Sequence, residues 1–93
     1  MDYEWDPKKA ASNWSIHRVS FKAARRFLWD FALEFRDERK DYPEVRTIAI
    51  GLIDARPHVL IYTLRGGRCR VISLRKANLR EARRYAEFTE DLG

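Results

Sequence analysis

The sequence predicts an α+β fold in the order β-α-α-β-β-β-β-α, a four-stranded antiparallel sheet with a short N-terminal strand, two N-terminal helices and a C-terminal helix. Three observations predict it. Asp6 followed by Pro7 is a helix start, an N-cap acceptor ahead of a proline whose missing N–H costs nothing at the first position. From Phe31 to Leu74 apolar, β-branched and aromatic runs alternate with turn residues, among them Gly66-Gly67. Asn78 with Glu81 three residues later then opens a final helix with a capping-box pattern. The 93 residues, 45% hydrophobic and 13% aromatic, suit one small packed domain spanning residues 1–93.

Tyr3 to Trp5 reads as a short strand. In the helix that follows, Ala10, Asn13, Trp14 and His17 recur at i, i+3, i+4 and i+7 and share a face. Ser20 caps a second helix whose inward stripe is Phe21, Ala24 and Leu28, with Lys22, Arg25, Arg26 and Asp30 outward. Phe31 to Phe35 is the first main strand, ending in the polar turn Asp37 to Pro43.

Val45 to Ile53 alternates, placing Ile48, Ile50 and Leu52 on one face and Thr47, Ala49 and Gly51 on the other. A turn at Asp54-Ala55-Arg56-Pro57 leads into the strand Val59 to Leu64. Gly66-Gly67 supplies the positive φ angles of a tight hairpin, and Arg68 to Leu74 completes a meander. In the last helix Leu79, Ala82, Tyr85 and Ala86 form the inner stripe, and Arg80, Arg83, Arg84 and Glu87 face out. The helices are expected to pack on one face of the sheet.

Charge is the strongest pointer to a partner. The net charge is +5. Residues 1–44 carry nine Lys/Arg and nine Asp/Glu, whereas residues 45–93 carry ten and five, so the excess lies wholly in the second half. Between Arg56 and Arg84 stand nine cations and one anion, Glu81. A solvated surface intersperses the signs, so this half points to a polyanionic partner, nucleic acid or an acidic protein. No apolar run approaches the ~18 residues of a membrane helix. The acidic start (Asp2, Glu4, Asp6) lacks the basic and apolar parts of a signal peptide, so a cytoplasmic protein is expected. A lone Cys69 makes neither an internal disulfide nor a cysteine zinc site, and reads as inert packing.

No glycine-rich nucleotide loop, His-Glu-x-x-His pair or serine nucleophile elbow is present, and neither a metal nor a cofactor is expected. The remaining inventory suits phosphodiester chemistry. Cleaving RNA without a metal needs a base near the 2′-hydroxyl, an acid for the leaving oxygen and cations against the developing charge. Arg65, Arg70, Arg75 and Lys76 supply the cations, and the arginine fork matches phosphate oxygens. His17 is the candidate acid or base, with Lys9 and Tyr85 in support. Each has a plainer reading: a helix-end histidine, a solvated lysine, a core tyrosine, and edge-strand charges at Arg70 and Arg75 that discourage aggregation.

Residues Trp5-Asp6-Pro7, Lys9-Ala10, Asn13, His17 and Val19-Ser20-Phe21 resemble the opening of BrnT-type toxins. Asp41-Tyr42, Glu44, Arg46, Ile50-Gly51, Arg70-Val71-Ile72-Ser73, Arg75-Lys76-Ala77, Glu81 and Tyr85 are similar to their second half, in the same order. The resemblance implies a RelE-like ribonuclease fold and the toxin of a type II toxin–antitoxin system. It also implies a BrnA-like ribbon-helix-helix antitoxin that neutralises the toxin and represses the operon with it, an RNA substrate, and operator DNA met only through the antitoxin.

In that reading Arg70 and Arg75 hold the scissile phosphate, and His17, Lys9 and Tyr85 join them in catalysis. Arg65, Arg68 and Lys76 bind RNA phosphates. Family members commonly carry Lys-His-Gly where this chain has Ile16-His17-Arg18, and a glycine where it has Pro43. An arginine in the left-handed turn that the glycine would ease costs roughly 1 kcal/mol. The alternative function is a non-catalytic module, binding RNA or protein, descended from such a toxin.

Overall fold

The computed structural model describes all of residues 1–93. Strand β1 (Tyr3–Glu4) leads into helix α1 (Pro7–His17), and a 3₁₀ segment (Phe21–Arg26) follows. Strands β2 (Leu28–Arg36), β3 (Thr47–Ile53), β4 (Arg56–Arg65) and β5 (Arg68–Lys76) come next, and helix α2 (Leu79–Leu92) ends the chain. The sheet is five-stranded and mixed, in the order β1-β5-β4-β3-β2. β2 to β5 form the expected antiparallel meander, while β1 adds to the β5 edge in parallel, Tyr3 opposite Cys69 and Glu4 opposite Arg70.

The caps behave as the sequence predicts. The Asp6 carboxylate accepts the Lys8 N–H, the Ser20 hydroxyl accepts that of Lys22, and Asn78 and Glu81 exchange both bonds of a capping box. The second helix does not reach its expected length. It stops as 3₁₀ at Arg26, because Phe27 turns extended (φ −66°, ψ 128°) to lay its ring on the sheet. Leu28, expected on an inward helical stripe, instead starts β2 and is exposed. Phe27 has room only because residue 51 is glycine: a Cβ there would sit 2.6 Å from the Phe27 Cζ.

The expectation that the helices share one face is corrected. Val19, Phe21, Ala24 and Phe27 pack with Ala49, Ile53, Leu60, Tyr62 and Val71 on one side of the sheet. Tyr85 of α2 packs with Ile50, Val59 and Ile61 on the other. The central strands are apolar on both faces, so each face has to be covered. Along α2 the buried position is Tyr85, while Leu79 and Ala86, expected inward, are exposed. The β3–β4 turn is tighter than expected. Asp54 and Ala55 take positive φ (51° and 64°), and Arg56 and Pro57 already belong to β4.

Two polar devices tie the layers. Asn13, buried in α1, donates to the carbonyls of Leu74 (2.7 Å) and Val19 (3.0 Å) and accepts the Leu74 N–H (3.2 Å). Its side-chain amide thus continues the β5 edge where β1 has ended. In the turn after β2, the buried Asp37 carboxylate accepts from the backbone N, Nε and Nη2 of Arg39. Arg46 lies over the Tyr42 ring and bonds Glu44, while the Thr63 hydroxyl donates to the Val45 carbonyl.

Candidate nucleic-acid interface

Strand β5 carries the basic residues, and its register decides where they project. Thr63 opposes Arg70 and Tyr62 opposes Val71, but Ile61 opposes Ser73, so Ile72 is one residue extra. Five positions separate Arg70 from Arg75, which in a regular strand places them on opposite faces. The bulge removes one position from the alternation. Arg70 and Arg75 therefore stand opposite Thr63 and Val59, on the face covered by α2, about 14 Å apart along the strand.

Both guanidinium groups are held by carboxylates. Arg75 forms a two-pronged pair with Glu81 at 2.7 and 2.8 Å. Glu81 is itself fixed by the capping box, accepting the Asn78 N–H at 2.9 Å. The bonds to Arg75 hold the Glu81 carboxyl below its usual range and push the guanidinium further up. Arg70 bonds Glu4 across the β1–β5 edge. The arginine side chains stay 27–29% exposed. Each fork has more N–H donors than its carboxylate uses, so each is aimed and still able to meet phosphate oxygens.

The other expected residues fall into three groups. Tyr85 lies on the same face as Arg75, one turn beyond Glu81 on α2, but buried among Ile50, Val59 and Ile61, and burial raises its phenol. Arg65 and Arg68 flank the Gly66-Gly67 turn (φ 58° and 77°) and are exposed. Lys76 ends β5, exposed and directly opposite His58. His17 and Lys9 are exposed on α1, in the opposite layer, and the structure does not bring them to Arg70 and Arg75.

In the sequence Glu81 reads as a helix cap and a residue of the family motif, and Glu4 only as part of the acidic start; neither is a candidate partner for an arginine there. Glu81 was legible, six residues beyond Arg75 and the lone anion of a basic stretch. Glu4 was not, because its contact spans 66 residues. Cys69 is inert as read: it is fully buried, and burial pushes its thiol up to about 12.

A model of a ribonuclease toxin, BrnT, of type II toxin–antitoxin systems matches residues 5–81 of this sequence. The chain belongs to the BrnT family. The BrnT match runs from Trp5, just after the strand that supplies Glu4, to Glu81, the residue that holds Arg75, and so includes the bulged strand and both its arginines. Membership of the BrnT family makes the chain a ribonuclease toxin with an antitoxin partner. No curated protein shows a significant match to the chain.

Proposed function

We propose that this toxin cleaves RNA in the cytoplasm without a metal ion, using the α2-covered face of the sheet as the seat of the scissile phosphate. The supporting observation is the β5 bulge, which turns Arg70 and Arg75 to one face, where Glu4 and Glu81 aim them. The 2′-hydroxyl gives its proton to water as its oxygen attacks phosphorus, and the bond to the 5′-oxygen breaks to leave a 2′,3′-cyclic phosphate. The 5′-oxygen takes a proton from water, and the two arginines meet the charge that grows on the phosphoryl oxygens. Arg65, Arg68 and Lys76 extend the cationic track to neighbouring phosphates. Tyr85 supports Arg75 and Glu81 from the core beneath them. His17 and Lys9, on the other layer, contribute to catalysis only if RNA wraps the β5 edge.

A ribbon-helix-helix antitoxin of the BrnA kind neutralises the toxin and represses their operon together with it. The test is RNA cleavage by the purified chain in EDTA, with and without that antitoxin. Expected are metal-independent cleavage, its loss in Arg75→Ala, and retained antitoxin binding by that variant. Intact RNA with folded wild-type protein, and normal growth on induction, would sink the activity. One observation favours a second reading, a non-catalytic RNA- or protein-binding module: both arginines already have carboxylate partners, as purely structural arginines would. In that case Arg75→Ala weakens binding and its salt dependence, with no cleavage to lose.

A further inference from the structure

A groove away from the Arg70–Arg75 face carries charge that the fold does not use. It lies where α1 ends and the β3–β4 turn begins, encloses about 370 Å³, and is lined by Arg18, Lys22, Arg26, Arg56, His58 and Lys76. The one carboxylate in its wall, Asp54, is taken by Arg26 at 3.1 and 3.2 Å. No carboxylate pairs with Arg18, Lys22, Arg56 or Lys76. Gathering like charges gives the folded chain nothing in stability; it raises the local positive potential and the local concentration of anions.

One of the walls is also conformationally costly: Arg18 sits in the left-handed region (φ 57°). Strain of this kind gathers where side chains must be presented to a ligand.

His58 gives the groove a second chemical character. The residue is 7% exposed, and its Nδ1 lies 2.8 Å from the Arg56 carbonyl oxygen. A carbonyl only accepts, so Nδ1 carries the proton and Nε2 of the neutral ring is an acceptor. No buried side-chain nitrogen or oxygen lacks a partner, so Nε2, which bonds no protein group, reaches the surface of the groove. Lys76, directly across the β4–β5 ladder, stands beside it. The groove therefore presents cations with His58 Nε2 as an acceptor that no protein group occupies, while Ser20 Oγ and Asp54 in the same wall are engaged by the Lys22 N–H and by Arg26. A phosphodiester with a neighbouring hydroxyl donor fits that pattern, and the 2′-hydroxyl of RNA is such a donor.

We propose that this groove is a ribonucleotide subsite, in which Arg18, Lys22, Arg56 and Lys76 hold a backbone phosphate and His58 Nε2 accepts the adjacent 2′-hydroxyl. The choice of RNA rests on the ribonuclease reading, whereas the phosphate site rests on the groove alone. Because Lys76 follows Arg75 in β5, the groove lengthens the cationic track of the catalytic face around the sheet end.

The experiment measures fluorescence anisotropy of three 12-nucleotide strands of one sequence, ribo, 2′-deoxy and 2′-O-methyl, with the full chain, strand integrity being checked on gels. The wild type should bind the ribo strand about fivefold or more tighter than the others. The exposed double variant Lys22→Gln/Arg56→Gln should weaken all three strands about tenfold and lower the slope of log K against log salt by up to about 0.7, for the one phosphate that these cations help to hold. His58→Phe should erase the ribo preference while leaving that slope in place. Unchanged affinity and slope in the folded double variant would overturn the site, even if His58→Phe fails to fold. Equal binding of the three strands by the wild type would overturn the role of His58. Ribo-selective binding without cleavage would leave the subsite standing and defeat the ribonuclease reading instead.

Discussion

Asn13 shows how much one side chain decides. Its amide makes three buried hydrogen bonds, two of them to the backbone of Leu74 in β5. Asn13→Leu leaves those backbone groups buried without partners, which should cost about 2–4 kcal/mol and lower Tm by roughly 10 °C or more. A thermal melt of the folded variant within a degree or two of wild type would contradict this. Arg18 works in the opposite sense. Its left-handed backbone suits glycine, so Arg18→Gly should raise stability by about 0.5–1 kcal/mol. The same change removes one cation from the groove and should weaken RNA binding at low salt. A variant both more stable and weaker at binding would identify Arg18 as a residue kept for its charge.

At the scale of elements, β5 and the turn into β2 set the geometry of the site and of the core. The bulge at Ile72 converts an odd spacing, which separates Arg70 from Arg75, into a shared face. Deleting Ile72 leaves Arg70 and Arg75 four positions apart in a regular strand, still opposite Thr63 and Val59 on one face, so cleavage and the β4–β5 pairing should both persist. Inserting one residue beside Ile72 should instead turn one arginine away and abolish cleavage; amide exchange of the hairpin with cleavage assayed in parallel would check both variants. Phe27 and Gly51 fix the other element boundary. Gly51→Ala places a methyl 2.6 Å from the Phe27 ring, and the shift it forces should destabilise the protein by about 1–3 kcal/mol. A urea midpoint equal to wild type would show that Phe27 moves freely, contrary to its burial at 4% exposure.

For the whole molecule, charge and pH are linked through its ion pairs. Arg39 holds the buried Asp37 carboxyl at about 2, against 3.8 for a free side chain, and Glu81 is lowered by Arg75. A carboxyl whose folded value lies below its unfolded value contributes stability above the unfolded value and loses it as pH falls toward the folded one. Stability should therefore hold from neutral pH to about 4 and fall steeply between 4 and 2. Urea midpoints across that range would show it, and Asp37→Asn should be less stable at neutral pH with a flatter acid limb. A flat wild-type limb would mean that the Asp37–Arg39 pair contributes nothing.

Sequence alone determined what is local. Caps at Asp6, Ser20 and Asn78, the Gly66-Gly67 turn, the period-two alternation of β3 and the imbalance of charge toward the second half follow from residue types and short spacings. Family membership, too, was legible in the ordered motifs from Trp5 to Tyr85. Tertiary structure decided what depends on partners distant in the chain. Which face α2 covers follows from the two-sided apolar character of β3 and β4 once they pair. Where the second helix stops depends on Phe27 finding Gly51. That Arg70 and Arg75 face the same way depends on one extra residue in a ladder, because a bulge leaves no mark in the alternation of β5 until its partner strand is beside it. The groove around His58 arises in the same way, from the end of α1, the 3₁₀ segment, the β3–β4 turn, the start of β4 and the end of β5, five short pieces whose charges look solvated until the fold brings them together.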